Sequence, residues 1–322
     1  MSVLEPERRS RLLSIKLATL AREHLGIEGE PATFPGGAAV AAGGRAAVLA
    51  DELPARSLGP ALAWARQAGA TSLDLLVEDA AGALARRAAE FLDPPTVWWV
   101  QGRELHPVEP EPLSPPRPVD VSEVDLAPEL RAAGADVVVE HGVVSGEVLG
   151  LEIARVVDGR IEAGVGRHDR EAFAMLHGGV APAAALATVV GAVRDVRRVD
   201  RPDHPLQRLA QERWLREVVL ARPELVGAAH LERHEGPAPR PSVKEPWPAV
   251  AVGDGLVVVT SVGIDLDLVP FAADARLAAA PDASLVLVVP ERDAHAVTRA
   301  LAAALRRPAD VVAIPGEWRS AG

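Results

Sequence analysis

Apolar residues in this chain fall into short continuous runs separated by stretches with the spacing of half-buried helices. AAVLADE (46–52), LDLLVED and TVWWVQG have the continuity of strands buried on both faces. Between them, Leu58–Gly69 and Ala80–Leu92 read as helices. Ahead of them, Glu5–His24 predicts an amphipathic helix packed through Leu12, Leu13, Ile15, Leu17, Leu20 and Leu25. The same order returns near the C-terminus: LVVVTSVG, a helix over Asp267–Ala280, SLVLVVP, a helix over Ala294–Arg307, then DVVAIPG. Strand–helix–strand–helix–strand at both ends predicts parallel α/β layers and an internal repeat.

The middle of the chain has a different pattern. Residues 135–140, 147–157 and 160–166 predict three strands. Gly142–Gly146 holds the first turn, and Asp158-Gly159 is a two-residue hairpin signal that sets Arg155 opposite Glu162. Residues 180–223 read as mainly helical. In QRLAQERWLREVVL, Leu209, Trp214, Leu215 and Val218 form a packed side, while Arg208, Glu212, Arg213, Arg216 and Glu217 predict a wet, ion-paired face. Residues 225–232 are a further strand candidate. Glu28–Gly44, with PGGAAVAAGG, reads as a linker or turn, because it lacks the Lys–Ser/Thr ending of a phosphate loop.

The expected fold is α/β, with two similar terminal strand–helix–strand–helix–strand units around a central β-meander with helices. Residues 1–105 form the N-terminal unit, 106–128 a proline-rich linker, 129–234 the central unit, 235–248 a second linker and 249–322 the C-terminal unit.

Composition narrows the chemistry. A chain of 322 residues with 48% hydrophobic residues can bury a sizeable core. The absence of cysteine excludes disulfides, thiolate catalysis and cysteine-ligated metals. A net charge of −11 disfavours broad nonspecific binding to nucleic acid. No apolar run of transmembrane length and no secretion signal is present, so a cytoplasmic location and no membrane partner are expected.

Candidate chemistry concentrates in the central strands. Asp136 and Glu140 share a strand face by the period of two. A turn centred near Val143 and Val144 would bring Asp136 close to Glu152. Asp136, Glu140 and Glu152 then form a candidate metal site for Mg²⁺ or Mn²⁺, since hard cations take oxygen ligands. Asp136 and Glu152 are the candidate catalytic carboxylates, and His168 a proton-transfer group. The competing reading is an acidic, solvated β-face, with Arg167, His168, Asp169 and Glu171 as a helix cap. Glu78–Asp79, Asp265 with Asp267, and Glu291 with Asp293 lie at strand-to-helix junctions, where ligands meet open sheets and where ordinary capping acids also sit. Arg208 and Arg216 would grip phosphate if they border a cleft.

LEIAR at 151–155 and Asp136 resemble the metal-site pattern of the PD-(D/E)xK nuclease superfamily over Pro128–His177, about a sixth of the chain. The resemblance implies a short α–β–β–β–α core that cuts nucleic-acid backbones with a divalent metal, Asp136 and Glu152 being the metal carboxylates. The chain departs from the pattern at the lysine, where Ala154 stands, and in lacking the preceding proline. Arg155 is displaced by one residue, onto the opposite face of a regular strand. The chain also resembles uncharacterised conserved proteins of high-GC bacteria, which implies no function. The expected role is a scaffold or partner-binding protein acting on a protein partner or a second copy. The alternative is a divalent-metal nuclease or phosphodiesterase, the one reading that brings in nucleic acid.

Overall fold

The computed structural model describes residues 4–166, 169–170, 182–198, 200–201 and 204–321. They form a mixed α/β fold of three β-sheets with interspersed helices. Two compact units are present. One takes the residues up to Leu113 together with Leu266–Asp274 and His295–Asp310; the other takes Ser114–Asp265, Ala275–Ala294 and the remaining C-terminal residues.

The first unit begins with helix α1 (Leu4–Leu20). Its six-stranded sheet follows chain order: β1 (Ala32–Phe34), β2 (Gly37–Ala42), β3 (Arg45–Ala50), β4 (Ser72–Val77), β5 (Thr96–Gln101) and β6 (Glu104–Pro107). Helices α2 (Leu58–Gln67) and α3 (Ala81–Ala89) are the crossovers that make β3, β4 and β5 parallel. The flanking β1–β2–β3 and β5–β6 pairs are antiparallel. The stretch PGGAAVAAGG, expected as a linker, is strand β2. Its apolar run is buried, and Gly43 and Gly44, with φ of 60° and 79°, close the hairpin to β3.

The second unit holds α4 (Val121–Val124), α5 (Ala127–Ala132) and a four-stranded antiparallel meander: β7 (Asp136–Glu140), β8 (Val143–Val148), β9 (Leu151–Val157) and β10 (Arg160–Ala163). Helices α6 (Pro182–Val196) and α7 (Gln211–Ala221) follow. A five-stranded sheet then runs in chain order through β11 (Glu232–His234), β12 (Ala249–Gly253), β13 (Leu256–Thr260), β14 (Ser284–Pro290) and β15 (Asp310–Ile314). β11–β12–β13 is antiparallel and β13–β14 parallel. The connections from β13 to β14 and from β14 to β15 carry helices α8 (Leu268–Ala279) and α9 (Ala296–Ala303), and α9 with the first half of α8 belongs to the first unit. Parallel pairing thus forms only part of both terminal sheets, with hairpins beside it.

The meander has one strand more than the sequence predicts, because 147–157 is broken by a turn. Its loops are His141-Gly142, Leu149-Gly150 and Asp158-Gly159, each with positive φ at both residues, as a two-residue type I′ turn requires. Gly150 is doubly constrained. Its φ is 75°, and a Cβ there would stand 2.5 Å from the backbone carbon of Arg213, so the turn abuts α7. The apolar face of the meander, including Val144, Val148, Leu151, Ile153 and Val156, packs with Leu130, Leu186, Val190 and Val193. Helix α7 buries Trp214, Leu215, Val218 and Val219 against Ala251, Val258, Val286 and Val288 of the five-stranded sheet. No helix among the described residues is long and apolar enough to cross a membrane.

Candidate functional site

The polar face of the meander lies under α7 and the segment 235–248. The observed register pairs Asp136 with Glu147, not with Glu152. The reason is the turn at His141-Gly142, two residues earlier than the expected centre. Strand β8 therefore separates Asp136 from Glu152, leaving their backbones roughly 9–10 Å apart, or two interstrand spacings. Asp136 is exposed and pairs with Arg233 at 3.4 Å.

Glu140 and Glu147 enter a square with two arginines from one face of α7. Arg213 donates to both carboxylates. Arg216 reaches Glu140 at 2.9 Å and Glu147 at 3.5 Å. Burial pushes the Glu147 carboxyl up, opposed by Arg213 and Arg216. Burial acts on Glu140 as well, but there the two arginines prevail and hold it below the ordinary carboxylate value. Arg216 passes the network on to Glu217 at 3.4 Å, and Glu217 in turn holds Arg233. The sequence predicts a wet charged face on this helix, yet Arg216 is 1% exposed and Glu212 5%. A second sheet covers that face, and the meander supplies the opposite charges.

Glu152 is the second centre. A β-bulge places Ile153 as an extra residue opposite Gly146–Glu147, so that Glu147 aligns with Glu152 and Ser145 with Arg155. The bulge shifts side-chain alternation by one residue. Arg155 consequently shares the face of Glu152 and binds it through two bonds of 3.0 and 2.9 Å, where a regular strand would turn it away. Arg170 donates to the same carboxylate at 3.0 Å and lies 3.6 Å from Glu162. Arg155 stands opposite Glu162, the register expected from the Asp158-Gly159 turn.

These residues border a cavity of about 720 Å³ within the second unit. Arg117, Arg155, Arg170, Arg213, Arg240 and Lys244 line it, against the carboxylates of Glu140, Glu152 and Asp169. Val143, Val165, Leu209 and Val243 supply apolar wall. The segment 235–248, expected as a linker, is folded over the sheet. Its Glu235 accepts the His141 backbone N–H at 2.6 Å, and Trp247 donates to the Ala238 carbonyl at 3.3 Å. Arg240 Nη1 is shielded from solvent with no hydrogen-bond acceptor among the described residues. Burial, with Arg213 nearby, lowers the Arg240 pKa.

The predicted metal set is thus divided among arginines: Asp136 with Arg233, Glu140 with Arg213 and Arg216, Glu152 with Arg155 and Arg170. Among the described residues, no group of three or more His, Asp or Glu is placed to hold a metal ion. His168 and Arg167 lie outside the described residues. Three of the other junction acids also have partners. Glu78 pairs with Lys16, Asp293 accepts the Gly263 N–H at 2.8 Å, and Asp267 accepts the Gly59 N–H at 3.3 Å and meets Arg87 at 3.4 Å. Arg208 borders a different, smaller cavity, and Arg216 is enclosed in the carboxylate square.

Sequence reasoning passed over Glu147, Arg170 and Arg240. For Arg240 a signal was present: RPSVK places both an arginine and one of the chain's two lysines, Lys16 and Lys244, in a proline-rich stretch. No family model matches the chain, and no curated protein or solved structure matches it significantly.

Proposed function

We propose that this is a non-catalytic, cytoplasmic binding protein whose second unit holds a receptor site built on arginines. The observation that carries the reading is the fate of the meander's acids. Each predicted metal ligand is neutralised by one or more guanidinium groups, and the cavity they border presents six cationic side chains to three carboxylates. A cation would have to displace those arginines, whereas an anion meets donors already held in place. The two terminal parts fit the further reading of related copies. Both run from an antiparallel hairpin into a parallel strand through a helix.

Substitution of Glu152 by glutamine tests the assignment. The wild type is expected to show the same thermal midpoint in EDTA and in millimolar Mg²⁺ or Mn²⁺. E152Q should lose about 3–5 kcal/mol under either condition, because Arg155 and Arg170 are left without their shared charge. A metal-dependent rise in the wild-type midpoint that disappears in E152Q would instead establish a metal site and defeat the proposal.

A further inference from the structure

The cavity of the second unit carries more positive charge than its own carboxylates use. Glu152 fixes Arg155 and Arg170, and Glu140 fixes Arg213. Arg117, Arg240 and Lys244 have no carboxylate in ion-pair reach among the described residues. Arg240 Nη1 is shielded from water without an acceptor among the described residues, an arrangement unfavourable by roughly 1–3 kcal/mol. Besides these cations the lining includes the apolar side chains of Val143, Val165, Leu209 and Val243.

Resting on the binding reading above, we infer that this cavity takes a small organic phosphate monoester. Arg240, Lys244 and Arg117 hold its phosphoryl group, and its organic part lies on Val165, Leu209 and Val243. Three cations without carboxylate partners suit a dianion better than a single carboxylate. A phosphate monoester, with its second pKa near 6, is largely dianionic at neutral pH and offers three strong acceptor oxygens. Arginine forks match such oxygens in pairs, and lysine adds a point charge. The volume of about 720 Å³ is that of a small-molecule site. Net charge argues against a polyanion. A chain of −11 repels long nucleic acid over most of its surface, whereas a small dianion inside the cavity feels chiefly the cations within a Debye length of about 8 Å.

Calorimetric titration and thermal shift of the full chain in about 150 mM NaCl decide the matter, with phenyl phosphate, inorganic phosphate, phenol and duplex DNA as probes. Phenyl phosphate is expected to bind about tenfold or more tightly than inorganic phosphate, with phenol giving no shift. R240A and K244A should each weaken phenyl phosphate by about tenfold or more. Lys244 and Arg117 are exposed, so K244A and R117A keep the fold and isolate the loss of charge from any loss of structure. Absence of phenyl phosphate binding, unchanged affinity in both R240A and K244A, or tighter binding of duplex DNA at this salt would overturn the inference. If phenyl phosphate fails while E152Q behaves identically with and without metal, the ligand class is wrong and the binding reading stands. If metal stabilises the wild type through Glu152, the receptor reading itself falls.

Discussion

Glu212 on α7 is 5% exposed, and burial pushes its carboxyl up to about 7, against the opposing charge of Arg240. The unfolded chain ionises this group near its ordinary value of 4.5. Between the two values the native state keeps a proton that the unfolded state has released. The stabilising contribution is therefore complete below pH 4.5 and lost as the pH rises through 7. The interval corresponds to roughly 3 kcal/mol. Urea denaturation of E212Q should accordingly show a gain over the wild type of that order at pH 8 and little difference at pH 4.5. An equal gain at both values would mean that the side chain acts through packing. Arg216 illustrates the opposite case, a buried charge with its partners in place. R216M is expected to lose about 3–5 kcal/mol in the same assay, because Glu140 and Glu147 would then share Arg213 alone. A loss below about 1 kcal/mol would show that the carboxylates take up protons or water instead.

At the scale of elements, the meander depends on three X-Gly turns, and these differ in their surroundings. Gly159 has a φ of 68° and open space where a Cβ would stand, so G159A should cost about 1–2 kcal/mol from the left-handed backbone alone. Gly150 has a similar φ but touches the Arg213 backbone. G150A must therefore add a collision with α7 to the same torsional penalty, and its thermal midpoint should fall well below that of G159A. Equal midpoints would show that the turn can move off the helix. The bulge at Ile153 is the other decisive local feature, since it aligns Glu152 with Arg155. Two-residue turns carry a glycine that can be read in sequence. A bulge within GLEIARVV carries no such mark, because the extra residue is an ordinary apolar one.

Across the whole molecule, charge is distributed against its average. A chain of −11 assembles a cavity with six cationic side chains from Arg117, the meander, Arg170, helix α7 and the segment after β11. Arg213 lies 58 residues from Arg155 in sequence, and Arg240 a further 27. No window of the sequence shows them as a group. The buried polar face has the same origin. Glu140, Glu147 and Glu152 stand on a face of the meander that a single sheet would leave wet. Helix α7 lies between two sheets of its own unit and turns that face into an interior.

Local physics was legible in the sequence wherever one run of residues suffices to set it. Continuous apolar runs located β3, β4, β5, β13, β14 and β15, 3.6-residue spacing located α2, α3, α8 and α9, and Asp158-Gly159 set the β9–β10 register with Arg155 opposite Glu162. Strand β2 was missed because the glycines in and around it read as flexibility, although the flanking Gly36, Gly43 and Gly44 are positive-φ positions of turns. The tertiary structure alone decided which acids meet which arginines. Cross-strand partners depend on the sum of turn positions, and a two-residue error at His141-Gly142 moves the partner of Asp136 by four residues, from Glu147 to Leu151 beside Glu152. Burial of Arg213, Arg216 and Glu212 depends on what covers the helix, and helical periodicity holds no information about that.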